Sequence, residues 1–327
     1  MQETSTLSTH TCHPKELSSS PVVRVLAEFA GTFFACFVIY TAGTYGTVLY
    51  GANVLFVALA TALAYGASTA VFGRFSGGHF NPAVTLAAVL TSRTSWIDGI
   101  LYVLAQVAGG IAAGFLIMGI LPTSSTVTST MWFTSAVNGY GDGSPSNSML
   151  SQAGISFNYI MALAVEVVMA ILVVAAATVT LRENGSPAHT HTLATGLAYG
   201  AAVAVAYAVT GAGLNPARST GIAIVAQGKG LTVEPLSQLW LFWVCPLLGG
   251  ALVALAVLLT AAIGQSRKQK AVADVQVDSS QDPASDDAAE GTDADENAET
   301  ENGGESGDND NDETVESNDE TVDVKKD

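Results

Sequence analysis

The sequence predicts an all-α membrane protein with six transmembrane helices and two re-entrant half-helices arranged as an inverted repeat. Six apolar runs, at about 22–44, 52–73, 97–121, 157–180, 193–211 and 237–263, approach the roughly 20 residues that cross a bilayer. The tripeptide Asn-Pro-Ala occurs twice, at Asn81-Pro82-Ala83 and Asn215-Pro216-Ala217. The order of features around the first copy recurs around the second, and such repetition marks membrane transport folds.

The elements follow in chain order. The first run carries Glu28, and the second ends shortly before Asn81. Asn can cap a helix and Pro suits its first position. After Asn81 the chain stays apolar only over about 82–91, roughly half of what a span needs at 1.5 Å per residue. The third run closes the first half. A Ser/Thr/Gly-rich stretch, 122–156, reads as a long loop. The fourth run carries Glu166, the fifth precedes Asn215, a short piece at 216–226 gives the second half-helix, and the sixth run closes the repeat. Glu28 lies 53 residues before Asn81, and Glu166 lies 49 before Asn215. Three spans per half is an odd number, so the second half enters the membrane inverted. The half-helices then dip in from opposite faces, with their N-termini meeting near the midplane. A capped half-helix at that depth is tolerated only where it lines a cavity or is buried in protein.

Charge separates the chain into parts. Of its 29 acidic and 12 basic residues, 274–327 hold 21 and 2, which leaves 8 acidic and 10 basic elsewhere. The body is thus near neutral and apolar, as a membrane domain should be. The tail has no aromatic residue and the composition of a disordered segment. The expected organisation is an N-terminal segment, 1–21, a membrane body, 22–263, with repeats of about 22–121 and 157–263, and an acidic disordered tail, 264–327. Lys15, Arg24, Arg74, Arg93, Arg182, Arg267, Lys268 and Lys270 fall on one side of six crossings, so both termini are expected to be cytoplasmic. The sequence does not distinguish the plasma membrane from an organelle.

Several classes drop out. No nucleophile–base pairing, phosphate loop or metal cluster is evident, so no enzyme, cofactor or metal is expected. His10, Cys12 and His13 have ligand-like spacing but lie in a short terminal segment. Cys36 and Cys245 fall in apolar spans, against a disulfide framework. No nucleic-acid partner is expected.

The candidate site residues follow from helix physics. Two helix N-termini meeting at the pore centre create positive potential that repels cations and protons. Asn81 and Asn215 are expected to cap with backbone groups and to donate side-chain amide hydrogens to a passing solute. A water held so cannot relay protons along the file. Glu28 and Glu166 are costly charges inside spans; they are read as acceptors for loop N–H groups rather than as ion-coupling sites. His79, two before Asn81, is expected at the cytoplasmic mouth. Arg218, always charged and rich in donors, is expected to face the lumen and reject cations. His189 and His191 are read as loop residues before the fifth span.

These residues resemble the aquaporin, or major intrinsic protein, family. The resemblance rests on Ala27-Glu28-Phe29-Ala30-Gly31-Thr32, on Ser76-Gly77-Gly78-His79-Phe80-Asn81-Pro82-Ala83-Val84-Thr85, on Thr210 through Ser219, and on Trp240 through Pro246. It covers about 22–263 and implies a homotetramer with one pore per subunit. It also implies a four-residue selectivity constriction, which counting from the Asn residues puts at Thr61, Val203, Ala212 and Arg218. Water channels of the family usually carry Phe and His at the first two places, and glycerol channels Trp and Gly. The small residues here imply a wider, less polar constriction. Ser219, Ala223 and Phe242-Trp243 fit the water type. The expectation is a passive channel for water with a relaxed filter admitting small uncharged solutes. The alternative is a facilitator mainly for ammonia, hydrogen peroxide, urea or glycerol, and a more remote one is a secondary transporter with broken helices.

Overall fold

The structure, a computed structural model, describes residues 19–279. His10, Cys12, His13 and the acidic segment 280–327 lie outside these described residues. The chain divides into two units, Met1–Ala273 and Asp274–Asp327, and every residue of the candidate site lies in the first.

Eight helices set the architecture: α1 (Pro21–Thr41), α2 (Val54–Ser76), α3 (Pro82–Leu90), α4 (Trp96–Ile120), α5 (Tyr159–Val179), α6 (His191–Thr210), α7 (Pro216–Ala226) and α8 (Leu241–Ser279). Among the described residues six regions are long and apolar enough to cross a membrane, and α3 and α7 are short elements that follow the second and fifth of them. Polar caps fix where the spans begin. Ser20, Asn53, Ser95 and Asn158 each accept from a backbone amide two or three residues on, at 3.0–3.4 Å. Arg24 of α1 donates to both oxygens of Asp98 of α4 at 3.1 and 2.9 Å, pinning two helix starts together.

The helices sort their faces as a bilayer demands. In α1 the inward stripe is Ala27, Glu28, Gly31, Thr32, Ala35, Cys36, Ile39 and Tyr40, while Val22, Leu26, Phe34 and Val38 are exposed. α1 packs on α2 and α4, α2 on α6, α5 on α6, and α4 on α7. Close approach is bought twice with glycine. A Cβ on Gly110 of α4 would stand 2.5 Å from the Ala217 carbonyl oxygen, and one on Gly250 of α8 would stand 2.6 Å from that of Ala83. The third span of each half thus presses its glycine onto the alanine of the other half's Asn-Pro-Ala.

Three regions depart from the sequence-based expectation. The stretch 122–156 is not a plain loop. It contains a helix, Ser129–Thr134, with Trp132 and Phe133 buried. Side-chain bonds such as Ser146 Oγ to Ala208 O (2.6 Å) and Tyr140 N to Gln238 Oε1 (2.8 Å) fasten it to the helix ends. His191 is not a loop residue. It opens α6, is fully buried, and pairs through Nδ1 with Thr180 Oγ1 at 2.6 Å. Finally, α8 continues through Ser279, past the expected tail boundary at 264, across residues rich in Ala, Lys, Gln and Arg that favour helix.

Candidate functional site

The two half-helices begin alike. Asn81 and Asn215 are both extended N-caps, with φ −155° and −141°, and each is followed by Pro at the first helical position. The cap is made by the side chain, not the backbone. Asn81 Oδ1 accepts from the Ala83 amide at 2.8 Å, and Asn215 Oδ1 from the Ala217 amide at 2.9 Å. The residue before each Asn has a left-handed backbone, Phe80 at φ 47° and Leu214 at φ 54°. Large side chains avoid that region, so something must hold it.

The two buried glutamates supply the hold. Glu28 Oε1 accepts from Ser76 Oγ (2.6 Å) and the His79 amide (3.0 Å), and Oε2 accepts from the Phe80 amide (2.7 Å) and Gln106 Nε2 (2.7 Å). Glu166 Oε1 accepts from Thr210 Oγ1 (2.6 Å) and the Gly213 amide (2.7 Å), and Oε2 from the Leu214 amide (2.8 Å). Each carboxylate therefore fastens the last residue of a span to the strained turn of the same half. A buried charge is tolerable when its lone pairs are occupied in this way.

The amide hydrogens of the paired asparagines are already taken. Asn81 Nδ2 donates to the Tyr199 hydroxyl (2.8 Å) and the Leu214 carbonyl (2.9 Å). Asn215 Nδ2 donates to the Tyr65 hydroxyl (2.7 Å) and the Phe80 carbonyl (2.7 Å). An amide has two N–H donors, so neither Asn holds one in reserve. This departs from the expected pair of free donors. The tyrosines responsible escaped the sequence reading, yet a signal was there: each lies sixteen residues before the Asn of its own half.

The four constriction residues come together. Thr61, Val203, Ala212 and Arg218 line one cavity of about 10 Å³, the room needed by a single water, together with Ile39, Val57, Tyr65 and Tyr199. Thr61 Oγ1 donates back to the Val57 carbonyl at 2.8 Å. Val203 and Ala212 bring only apolar atoms, so the guanidinium of Arg218 is the charged group of this wall. Arg218 Nη1 donates to Asn138 Oδ1, and Nη2 donates to the Ala136 carbonyl at 3.3 Å. Asn138 Oδ1 also accepts from Ser219 Oγ at 2.8 Å, and the Tyr40 hydroxyl donates to the Arg218 carbonyl at 2.6 Å. Asn138 and Ala136 belong to the 122–156 stretch, so that segment orients the arginine. Nothing in its Ser/Thr/Gly composition marked them.

His79 lies on the other side of Asn81. It is buried, its Nδ1 pairs with Thr85 Oγ1 at 3.2 Å, and its ring meets Tyr102 edge-on at 5.3 Å. Its Nε2 has no hydrogen-bond partner among the described residues. Those residues hold no group of three or more His, Cys, Asp or Glu that could ligate a metal.

Six spans, two capped half-helices meeting N-terminus to N-terminus, and one arginine beside the meeting point define a membrane channel of the inverted-repeat type. The family description that matches the sequence is "Major intrinsic protein", over residues 16–257, and the chain belongs to that family. It is a multi-pass channel family, not an enzyme family. The chain is 34% identical to Aquaporin Z of Brucella melitensis over 242 residues, 71% of this chain and 95% of that protein. It is 33% identical to the glycerol uptake facilitator protein-like 6 of Lactiplantibacillus plantarum over 234 residues, 71% of this chain and 94% of the other. The fold matches the aquaglyceroporin structure from Plasmodium falciparum with a TM-score of 0.56 at 21% identity, covering 72% of this chain and 94% of that one.

Proposed function

We propose that this chain is a passive water channel whose relaxed filter also admits small uncharged solutes. One observation carries the reading. The cavity beside Arg218 is walled by Thr61, Val203 and Ala212, and the single hydroxyl among them is turned back onto its own helix at 2.8 Å. Those three side chains set neither a second fixed donor nor an aromatic ring beside Arg218, the rings of the cavity being those of Tyr65 and Tyr199, so the three positions discriminate little among small neutral molecules. Arg218 rejects cations there and hydrogen-bonds solute oxygens. Asn81, Pro82, Ala83 and Asn215, Pro216, Ala217 set the positive centre of the pore, where both helix dipoles point inward. Glu28 and Glu166 position the strained turns, and His79 lines the half of the pore beyond Asn81.

The reading extends to the assembly. The body acts as a homotetramer with one pore per subunit, both termini face the cytoplasm, and the acidic tail lies on that side. Facilitation mainly of glycerol or urea is the second reading, favoured by the likeness to a glycerol uptake facilitator-like protein.

Stopped-flow light scattering on proteoliposomes tests both, with Asn215→Asp as the control. An impermeant osmolyte should give fast shrinkage, and urea or glycerol should give shrinkage followed by re-swelling. Fast shrinkage without re-swelling would restrict the channel to water, and shrinkage no faster than in protein-free liposomes would remove the channel reading for this chain.

A further inference from the structure

Tyr65 of α2 and Tyr199 of α6 are both buried, and their rings lie flat on each other, with centroids 3.4 Å apart and planes within 3°. They come from opposite halves of the repeat and occupy the same register in each. Both line the cavity next to Arg218, so that cavity meets the paired rings on its way toward the Asn-Pro-Ala centre. Their hydroxyls accept crosswise, Tyr65 from Asn215 at 2.7 Å and Tyr199 from Asn81 at 2.8 Å. The two phenol oxygens thus occupy the acceptor positions that a passing water or solute oxygen would take.

We propose that Tyr65 and Tyr199 form a gate at the pore centre, and that this structure is its closed state. The inference rests on the channel reading above. In the closed state the rings fill the lumen and the phenols satisfy both asparagines. Opening separates the rings and exchanges each phenol oxygen for a solute oxygen at the same N–H. Face-to-face stacking is the least favoured geometry for an aromatic pair, so the crosswise hydrogen bonds, rather than the stack itself, hold the gate shut. The exchange makes the tyrosines specificity-determining. A molecule passes only if it offers an acceptor that replaces the phenol, and an apolar molecule of equal size leaves both asparagines unsatisfied and is rejected. Each Asn keeps its other N–H on a carbonyl of the opposite half, Leu214 or Phe80. The centre therefore stays assembled while the gate moves.

The test compares water flux through the full-length protein and two double variants in proteoliposomes, per folded channel and as a function of temperature. Tyr65→Val/Tyr199→Val removes rings and hydroxyls. Its flux should rise about tenfold, the factor that corresponds to releasing one or two net hydrogen bonds, with a lower activation energy. Tyr65→Phe/Tyr199→Phe keeps the packed volume and removes only the acceptors, and its flux should rise by less. If the valine pair does not fold, the phenylalanine pair decides: increased flux supports the gate, and unchanged flux overturns it. A wild-type protein that conducts well above protein-free liposomes, with both variants equal to it, overturns the gate and leaves the channel reading standing. Folded variants no faster than a conducting wild type overturn the gate alone, and wild type and folded variants that all stay at the liposome background overturn both.

Discussion

The two halves of this channel share one plan, and two of the differences between them show how one half departs from the other. In both, a span-borne glutamate ties a strained turn, an asparagine caps a half-helix, and a glycine of the third span meets an alanine across the centre. The first difference is the third residue after the asparagine, Val84 in one half and Arg218 in the other. The second is the support around the glutamate. Four residues before Gly110 stands Gln106, which donates to Glu28 Oε2, whereas four before Gly250 stands Pro246, which has no donor to offer. The shared parts build the pore centre, and the unshared parts put one positive charge on one side of it.

Removing the shared parts should have the largest effects. Glu28→Leu strands four donors and Glu166→Leu three. Each buried donor left unmade costs about 1–3 kcal/mol, against a total stability of about 5–15 kcal/mol. Glu28→Leu should yield no monodisperse protein by size exclusion in detergent, and Glu166→Leu somewhat more. Equal survival of the two would break the claim that Gln106 makes the halves unequal. Next come Gly110→Val and Gly250→Val, which force a side chain against a backbone oxygen and should each cost about 1–3 kcal/mol. Their thermal unfolding midpoints should fall by similar amounts, and a large disparity would show that the two halves do not share the close approach equally.

How far the sequence carried the reading depends on the kind of signal. Span positions, half-helices and the repeat were legible because hydropathy, Pro and capping are local, and apart from the C-terminal extension of α8 the described helices fall within a few residues of the apolar runs. Thr61, Val203, Ala212 and Arg218 came from the family resemblance, by counting from Asn81 and Asn215, and they line one cavity. What escaped depends on partners distant in sequence. Asn138 reaches Arg218 across 80 residues from a segment with no periodicity. Tyr65 and Tyr199 looked like ordinary apolar-span residues, because an aromatic inside a span carries no mark of what its hydroxyl meets. His191 was misplaced because the start of α6 lies among Thr and His, residues with little helical signature.

The remaining predictions act on the difference between the halves. Arg218→Val copies Val84 into the second half and makes the centre symmetric in charge. The half-helix dipoles still oppose cations, but the full guanidinium charge is gone, so proteoliposomes should leak protons above the wild-type level, read by an internal pH-sensitive dye, while water flux persists. An unchanged leak would assign proton exclusion to the dipoles alone. Asn138→Ala should do less. It leaves the charge in place and removes the acceptor shared by Arg218 Nη1 and Ser219 Oγ. Truncating a buried partner of a charged group costs about 1–3 kcal/mol, so a modest loss of thermal stability is expected. The freed guanidinium retains the Ala136 carbonyl at 3.3 Å and can swing. Urea re-swelling should therefore change more than water shrinkage, because a urea-sized solute must fit past the arginine while a single water already has the space. Equal changes in both rates would mean that Asn138 only supports the fold and that Arg218 is aimed by its own helix.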